Sequence, residues 1–125
     1  MNVILAIKPQ FAEKILSGQK KYEYRKAVFK RPVNRVFLYA SFPICKIVGE
    51  FTTHNLISGT PSQVWSETKD FAGIDASVFD SYFHGRSVAY ALCISSCIKY
   101  DDPIDPKKII PGFRAPQSFC YINSL

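Results

Sequence analysis

The segment from Leu16 to Arg25, which reads LSGQKKYEYR, places three charged side chains at alternating positions shortly after a glycine. In an extended chain, side chains two residues apart share a face. We therefore expect Lys21, Glu23 and Arg25 on one face and the two intervening tyrosines on the other, toward a core. An arginine recognises a phosphate or a base edge through its planar fork, and a glutamate accepts hydrogen bonds from an exocyclic amine. The row predicts either a ligand-facing wall or a solvated strand edge.

Lys20 precedes this row and widens the chemistry that the segment can perform. A lysine directly after a helix acts toward phosphate as a point charge. A glutamate buried beside that lysine can act as a general base on water, provided that its geometry and pKa allow it. The alternative for Glu23 is an ion pair across the mouth of a barrel, and the alternative for Lys21 is exposure to solvent.

Hydrophobic periodicity and turn residues divide the chain into strands and short helices. Six strands are predicted, at residues 3–7, 21–26, 35–40, 46–55, 87–100 and 118–122. One early helix begins at Pro9, where the missing N–H costs nothing, and stops at Gly18. A middle pair of helices covers residues 61–69 and 75–83. The pattern predicts an α+β fold, namely a small, strongly curved β-barrel of about six strands with one N-terminal helix and a middle helical pair. The length fits one domain over residues 1–125.

The net charge of +6 is concentrated in the first third of the chain. Residues 1–35 hold nine basic and two acidic side chains, a net of +7, whereas the remaining residues hold seven basic and eight acidic ones, a net of −1. Such a patch is typical of a protein that binds a polyanion, since each neutralised phosphate releases counterions. A basic surface that serves solubility alone is the alternative. The charge distribution favours a nucleic acid or nucleotide partner.

Other classes of site are disfavoured by the sequence. No apolar run approaches the ~20 residues of a membrane helix, and the start lacks the features of a signal peptide, so we expect no membrane partner and a cytoplasmic location. Cys93 and Cys97 have the spacing of a zinc pair, but no second pair completes four ligands. We expect all four cysteines to be core residues and the protein to hold no metal. No P-loop or dinucleotide motif appears, and we expect no cofactor.

Three segments of the chain resemble the ASCH domains, which are members of the PUA-like superfamily. They read IKPQFAEKILSGQKKYEYR at residues 7–25, VFLYAS at 36–41 leading to IVGEF at 47–51, and PQSFCY at 116–121. Together they run from end to end of the chain. The resemblance implies a β-barrel with a cleft, a fold that binds RNA or modified bases. Some relatives are labelled predicted transcriptional regulators.

The resemblance also implies a possible enzyme. Certain small bacterial ASCH proteins resemble this chain at Gly-x-Lys-x-x-x-x-Arg and hydrolyse the acetyl amide of N4-acetylcytidine with a lysine, a threonine and a glutamate. By position the lysine falls on Lys20 and the arginine on Arg25, whereas the threonine position holds Glu23. Glu67 is the nearest candidate, by order along the chain, for the catalytic glutamate.

Taken together, these features predict an ASCH module that binds RNA or a modified nucleoside in a basic cleft near the first strand-helix-strand unit. The expected contacts are Lys8, Lys20, Glu23 and Arg25, with Ser41 and Phe42 as further candidates. The first alternative is an amidohydrolase on an N4-acylated cytidine that uses Lys20 and Glu23. The second is a DNA-binding transcriptional regulator, which the acidic residues Asp75 and Asp80 of the last middle helix disfavour, since carboxylates repel phosphate.

Overall fold

Six strands form one mixed sheet in the computed structural model, which describes residues 1–123 and 125. The strands are β1 Asn2–Ile7, β2 Tyr22–Arg25, β3 Val36–Ala40, β4 Lys46–Gly59, β5 Ala89–Ile104 and β6 Phe119–Ile122. The helices are α1 Pro9–Leu16, α2 Pro61–Thr68, α3 Ala76–Tyr82 and α4 Pro106–Ile109, and a 3-10 turn at Lys69–Phe71 follows α2. The order β2-β5-β4-β3-β1-β6 and the curl of the sheet into a half-barrel confirm the predicted α+β fold.

The connection from β1 to β3 carries the charged segment across the open side of the half-barrel. β1 pairs with β3 in parallel and with β6 antiparallel. Parallel neighbours need a long crossover, because a tight turn reverses the direction of the chain and can join only antiparallel strands. Here the crossover contains α1 and β2, and within the described residues β2 pairs only with β5 at the far edge of the sheet. The fold thus brings the Lys20–Arg25 segment to the seam between its two edges.

The long ribbon of β4 and β5 curls the sheet toward that seam. These strands have 14 and 16 residues, and each extends beyond its predicted C-terminal end. Their pairing register shifts twice between Thr52 and Asn55. A bulge inserts an extra residue, which bends the strand and increases its twist. The two register shifts therefore bend the ribbon.

Three apolar clusters hold the fold together. The inward side chains of β1, Val3, Leu5 and Ile7, pack on Ala12 and Ile15 of α1 inside the half-barrel. The other face of β1 and β3 packs against the segment around α4. The third cluster lies where α2 and α3 cover β2 and β5. Helix α1 forms because Pro9 occupies its first turn and its apolar residues recur at helical spacing.

Both faces of β2 are covered, which departs from the simple alternation expected for this strand. Tyr24 faces the cluster under α2 and α3, as predicted, and Lys21 is exposed. Glu23 on the opposite face is also buried, because that face is turned into the half-barrel. The solvated-edge interpretation therefore holds for Lys21 and is wrong for Glu23.

The prediction that all four cysteines are core residues is wrong for Cys45. This residue is exposed in the turn between β3 and β4 and has a φ of +54°. Helix α4 was not expected from the sequence. Asp105 initiates that helix, since its side chain accepts a hydrogen bond from Lys107 N at 3.0 Å.

Candidate functional site

A tight turn after α1 delivers Lys20 into the interior. Gly18 adopts a φ of +84°, a backbone conformation that glycine reaches without steric cost, and ends the helix. The N–H of Lys20 then donates to Lys14 O at 3.0 Å, which turns the chain back along α1 and into β2. The backbone position of Lys20 is therefore set by local sequence.

Lys20 is a buried cation with one strong protein partner. Its side chain is only 2% exposed. The ammonium donates to Ala72 O at 2.9 Å and lies 4.4 Å from the centroid of the Tyr24 ring. Among the described residues no other acceptor lies within hydrogen-bond distance of Nζ, so two of its three N–H groups are available to a ligand.

Burial lowers the pKa of Lys20 to about 8, although the nearby carboxylate of Glu23 opposes that shift. A group with this pKa is neutral in about one molecule in ten at pH 7. The amine can therefore act as a hydrogen-bond donor in its charged form and as a base in its neutral form.

The connector before α3 is packed directly on Lys20. Gly73 has a φ of +71°, and a Cβ built on it would lie 2.5 Å from the Cβ of Lys20. Lys14 donates to Gly73 O at 3.0 Å beside the contact of Lys20 with Ala72 O. Two lysines thus hold consecutive carbonyl groups and fix the start of the helix that covers the site.

Glu23 and Arg25 form a buried ion pair at the seam of the half-barrel. The Oε2 of Glu23 lies 2.7 Å from the Nη2 of Arg25. The same nitrogen donates to Ala6 O at 3.0 Å, and Nη1 donates to the Oγ of Ser118 at 3.4 Å. Arg25 therefore joins edge strand β2 to β1 and to the residue before β6, across a gap that no backbone ladder closes. Its Nε is buried and has no hydrogen-bond partner among the described residues.

These side chains line a cavity of about 750 Å³, within the range that small-molecule sites occupy. Its polar members are Lys8, Lys20, Glu23, Arg25, Ser41, Ser77, Ser81 and Gln117. Its other lining residues include Phe11 of α1, Ile74 and Val78 at α3, and the aromatic rings of Tyr24 and Tyr82. Three cations and one carboxylate give the cavity a net positive charge beside an apolar wall.

Helix α3 has a second role that the sequence analysis missed. Phe79 of α3 and Phe83, directly after the helix, cover the core. The other side of the helix, with Val78, lines the cavity together with Ser77 and Ser81. The sequence signal for this role is a pair of serines four residues apart, which lie on one face of the helix next to the valine. A helix that only covers the core has no need of such a mixed second face.

The structure brings five of the predicted site residues into the cavity and leaves two outside its lining. Lys8 and Ser41 line it together with the central trio of Lys20, Glu23 and Arg25. Ser41 N donates to Ile7 O at 2.9 Å, which fixes the end of β3 beside β1. Phe42 is 83% exposed in the next turn. Glu67 is exposed on α2 and does not line the cavity. Its carboxylate lies close enough to Cys93 to add to the effect of burial, which raises the pKa of that thiol.

Among the described residues, no group of three or more His, Cys, Asp or Glu side chains is arranged to hold a metal ion. No helix in the same part of the chain is both long and apolar enough to cross a membrane.

Comparisons with known proteins agree on the type of domain. The chain is 25% identical to the "ASCH domain-containing ribonuclease" of Zymomonas mobilis, over 98% of this chain and 84% of that protein. The crystal structure of ASCH from the same organism superposes with a TM-score of 0.90 at 25% identity, covering 98% of this chain and 87% of that one. No protein-family model matches.

A second relative is a longer protein. The chain is 27% identical to a segment of the large ribosomal subunit protein uL22 of Ureaplasma parvum, and the match covers 98% of this chain but only 39% of that protein. The half-barrel with its seam cavity and the agreement in sequence and fold over almost the whole chain define a class of small PUA-like domains. These similarities in sequence and fold support the assignment of this chain as an ASCH domain.

Proposed function

We propose that this ASCH domain binds RNA or a modified nucleoside, with one nucleotide held in the seam cavity. The observation that carries the proposal is the convergence of Lys20, Glu23 and Arg25 on one cavity beside an apolar wall. The proposal includes residues 1–125 as one domain and a cytoplasmic location, in keeping with four free thiols.

The chemistry of the cavity suits a nucleobase. Lys20 offers two N–H groups to acceptors on a base edge, and the Glu23 Oε1 has no hydrogen bond among the described residues, so it can accept from an exocyclic amine. Val78 and Phe11 provide apolar contact for the faces of a base. Lys8 lies at the cavity as a further cation for phosphate.

RNA as the polyanion is supported by two observations. The Zymomonas mobilis relative is named a ribonuclease, and the excess positive charge lies in residues 1–35, which contain all three cationic groups of the cavity. Phe42 stands exposed one residue after Ser41, where it can stack on a base outside the cavity. Binding to duplex DNA through α3 is disfavoured because that helix carries Asp80, begins after Asp75 and turns one side to the cavity.

A matched pair of variants tests the proposal. Lys20→Met removes the cation inside the cavity, and Lys21→Met removes the same charge from the neighbouring exposed side chain, whose ammonium lies 4.3 Å from the Phe71 ring centroid. We expect Lys20→Met to weaken binding of a short fluorescein-labelled single-stranded RNA about tenfold. The Lys21→Met variant should weaken it about twofold, in line with one exposed phosphate contact. Equal losses in the two variants would show that net charge, not the cavity, holds the RNA.

Hydrolysis is the second candidate, because Lys20 is a buried amine with a lowered pKa near Glu23. In this candidate the neutral amine takes a proton from water, and the resulting hydroxide attacks the acyl carbonyl of an N4-acylated cytidine. The C–N bond of the tetrahedral adduct then breaks, and the Lys20 ammonium returns the proton to the leaving N4 amine, which releases cytidine and the carboxylic acid. Arg25 keeps Glu23 in place through the 2.7 Å ion pair. Glu67 lies outside the cavity lining, so this chemistry rests on Lys20 and Glu23.

Incubation with N4-acetylcytidine, followed by chromatography for cytidine, tests the hydrolase. The same incubation with single-stranded RNA tests for cleavage. Product formed by the native protein and lost in both Lys20→Met and Glu23→Gln would support catalysis. RNA binding that depends on Lys20, without any product, would leave the binding module as the function.

A further inference from the structure

A second hollow adjoins the seam cavity and is used by none of the chemistry described above. It has a volume of about 320 Å³. One side comes from the basic loop at residues 26–35, through Phe29 and Arg31, and the other from β4 and β5, through His54, Asn55 and Leu92. The hollow thus combines a guanidinium, an imidazole and an amide with an apolar floor.

The pairing register places the two hollows side by side on one face of the sheet. Glu23 of β2 lies opposite Leu92 of β5, and Leu92 lies opposite Leu56 of β4. Residues directly opposite each other in antiparallel strands point to the same face, and neighbouring strands are ~4.8 Å apart. Glu23 lines the seam cavity, and both leucines line the second hollow. One row of three side chains therefore runs from the seam cavity into the second hollow.

A bulge places His54 at this hollow. Thr53 pairs with Ile94 and Asn55 pairs with Cys93, so His54 is the extra residue on β4. A bulge redirects the side chains around it and is frequent beside binding sites. The register change that bends the ribbon therefore also brings a histidine and an amide to face the basic loop.

Arg31 is held in position on the opposite side. The backbone N–H groups of Lys30 and Arg31 donate to the Tyr121 hydroxyl at 2.9 and 3.3 Å. The guanidinium lies 5.0 Å from the centroid of the same ring. Phe29 anchors the loop by an edge-on contact with Phe119, with ring centroids 4.9 Å apart. A guanidinium stacked in this way keeps its N–H groups free for a phosphate.

We propose that this hollow is a second nucleotide subsite, which holds the next nucleotide of the strand whose first base occupies the seam cavity. Arg31 and His54 bind the linking phosphate, and Leu56 and Leu92 form the floor beneath the second base. This inference rests on the proposed function, because it extends the same RNA strand from one cavity to the next.

The test compares two probes, the nucleoside cytidine and the dinucleoside monophosphate CpC, by calorimetry or NMR titration. Cytidine occupies the seam cavity alone, whereas CpC adds one phosphate and one base. We expect CpC to bind the native protein about tenfold more tightly than cytidine. Arg31→Ala and His54→Ala should each remove most of that advantage and leave cytidine binding unchanged.

Arg35→Ala is the matched control. Arg35 is exposed at the end of the same loop, pairs with Glu50 at 3.5 Å and lines neither hollow. If Arg31→Ala lowers CpC affinity no more than Arg35→Ala does, or if CpC binds no more tightly than cytidine, the second subsite is overturned and the seam cavity stands. If neither probe binds the native protein, the proposed function falls and the subsite with it. Unchanged thermal unfolding of the variants would confirm that folding is not the cause of any loss.

Discussion

Replacement of Lys20 by methionine is expected to stabilise the protein at neutral pH. The charged form of a buried lysine is disfavoured by desolvation, and methionine fills a similar volume without that charge. The pKa of Lys20 falls from 10.5 to about 8 on folding. The folded state therefore holds the proton less tightly than the unfolded state.

The size of the effect follows from this shift. Each pKa unit corresponds to about 1.4 kcal/mol, so a charged Lys20 lowers the free energy of unfolding by about 3 kcal/mol at pH 7. Above pH 8 the folded state loses the proton first, and the penalty falls to about 1 kcal/mol by pH 10. The variant also leaves Ala72 O without its hydrogen bond, at a cost of about 1 kcal/mol. We expect a net gain of about 2 kcal/mol at pH 7 that vanishes near pH 10.

Urea unfolding of the native protein and of Lys20→Met between pH 6 and pH 10 measures this difference. Lys21→Met is the control. Because the Lys21 ammonium is exposed, its removal should leave the free energy of unfolding close to that of the native protein at every pH. A destabilised Lys20→Met at pH 7, or a gain that does not decline toward pH 10, would refute the reasoning. The stabilised variant should bind RNA more weakly, which would show that the native protein accepts a stability cost at its binding site.

Two further substitutions test how the site is held together. Gly73→Ala should destabilise the protein by about 2–4 kcal/mol, because the site combines a positive φ with the 2.5 Å approach to Lys20. Gly18 also has a positive φ but faces open space, so Gly18→Ala should cost about 1 kcal/mol. Equal losses of unfolding free energy in urea would mean that the packing of Gly73 on Lys20 contributes nothing. Arg25→Ala should destabilise the protein by about 3–5 kcal/mol, because it leaves Glu23 buried and unpaired, and Arg25→Lys should recover part of that loss. An unchanged thermal unfolding temperature in Arg25→Ala would contradict the assignment of this arginine as the bridge across the seam.

Local sequence accounts for the elements that present the central trio. Pro9 and the helical spacing of the next apolar residues define α1, and Gly18 ends it. The alternation along β2 then places Glu23 and Arg25 on one face and Tyr24 on the other, whereas Lys20 precedes the strand. These effects act within a few residues of each other, and backbone propensity and side-chain period are sufficient to predict them.

Only the tertiary structure decided what the trio contacts. Lys20 reaches Ala72 O, 52 residues away, and Arg25 reaches the Oγ of Ser118, 93 residues away. Both contacts depend on how far the sheet curls, and that curl depends on bulges in β4 and β5 which leave no clear mark in the sequence. The same long-range packing placed Glu67 outside the cavity lining and turned one side of α3 into a wall of the cavity. The local sequence thus determined that Glu23 and Arg25 share one face of β2. The closure of the half-barrel determined that this pair and Lys20 line one cavity, because contacts between distant strands are not encoded in any single segment.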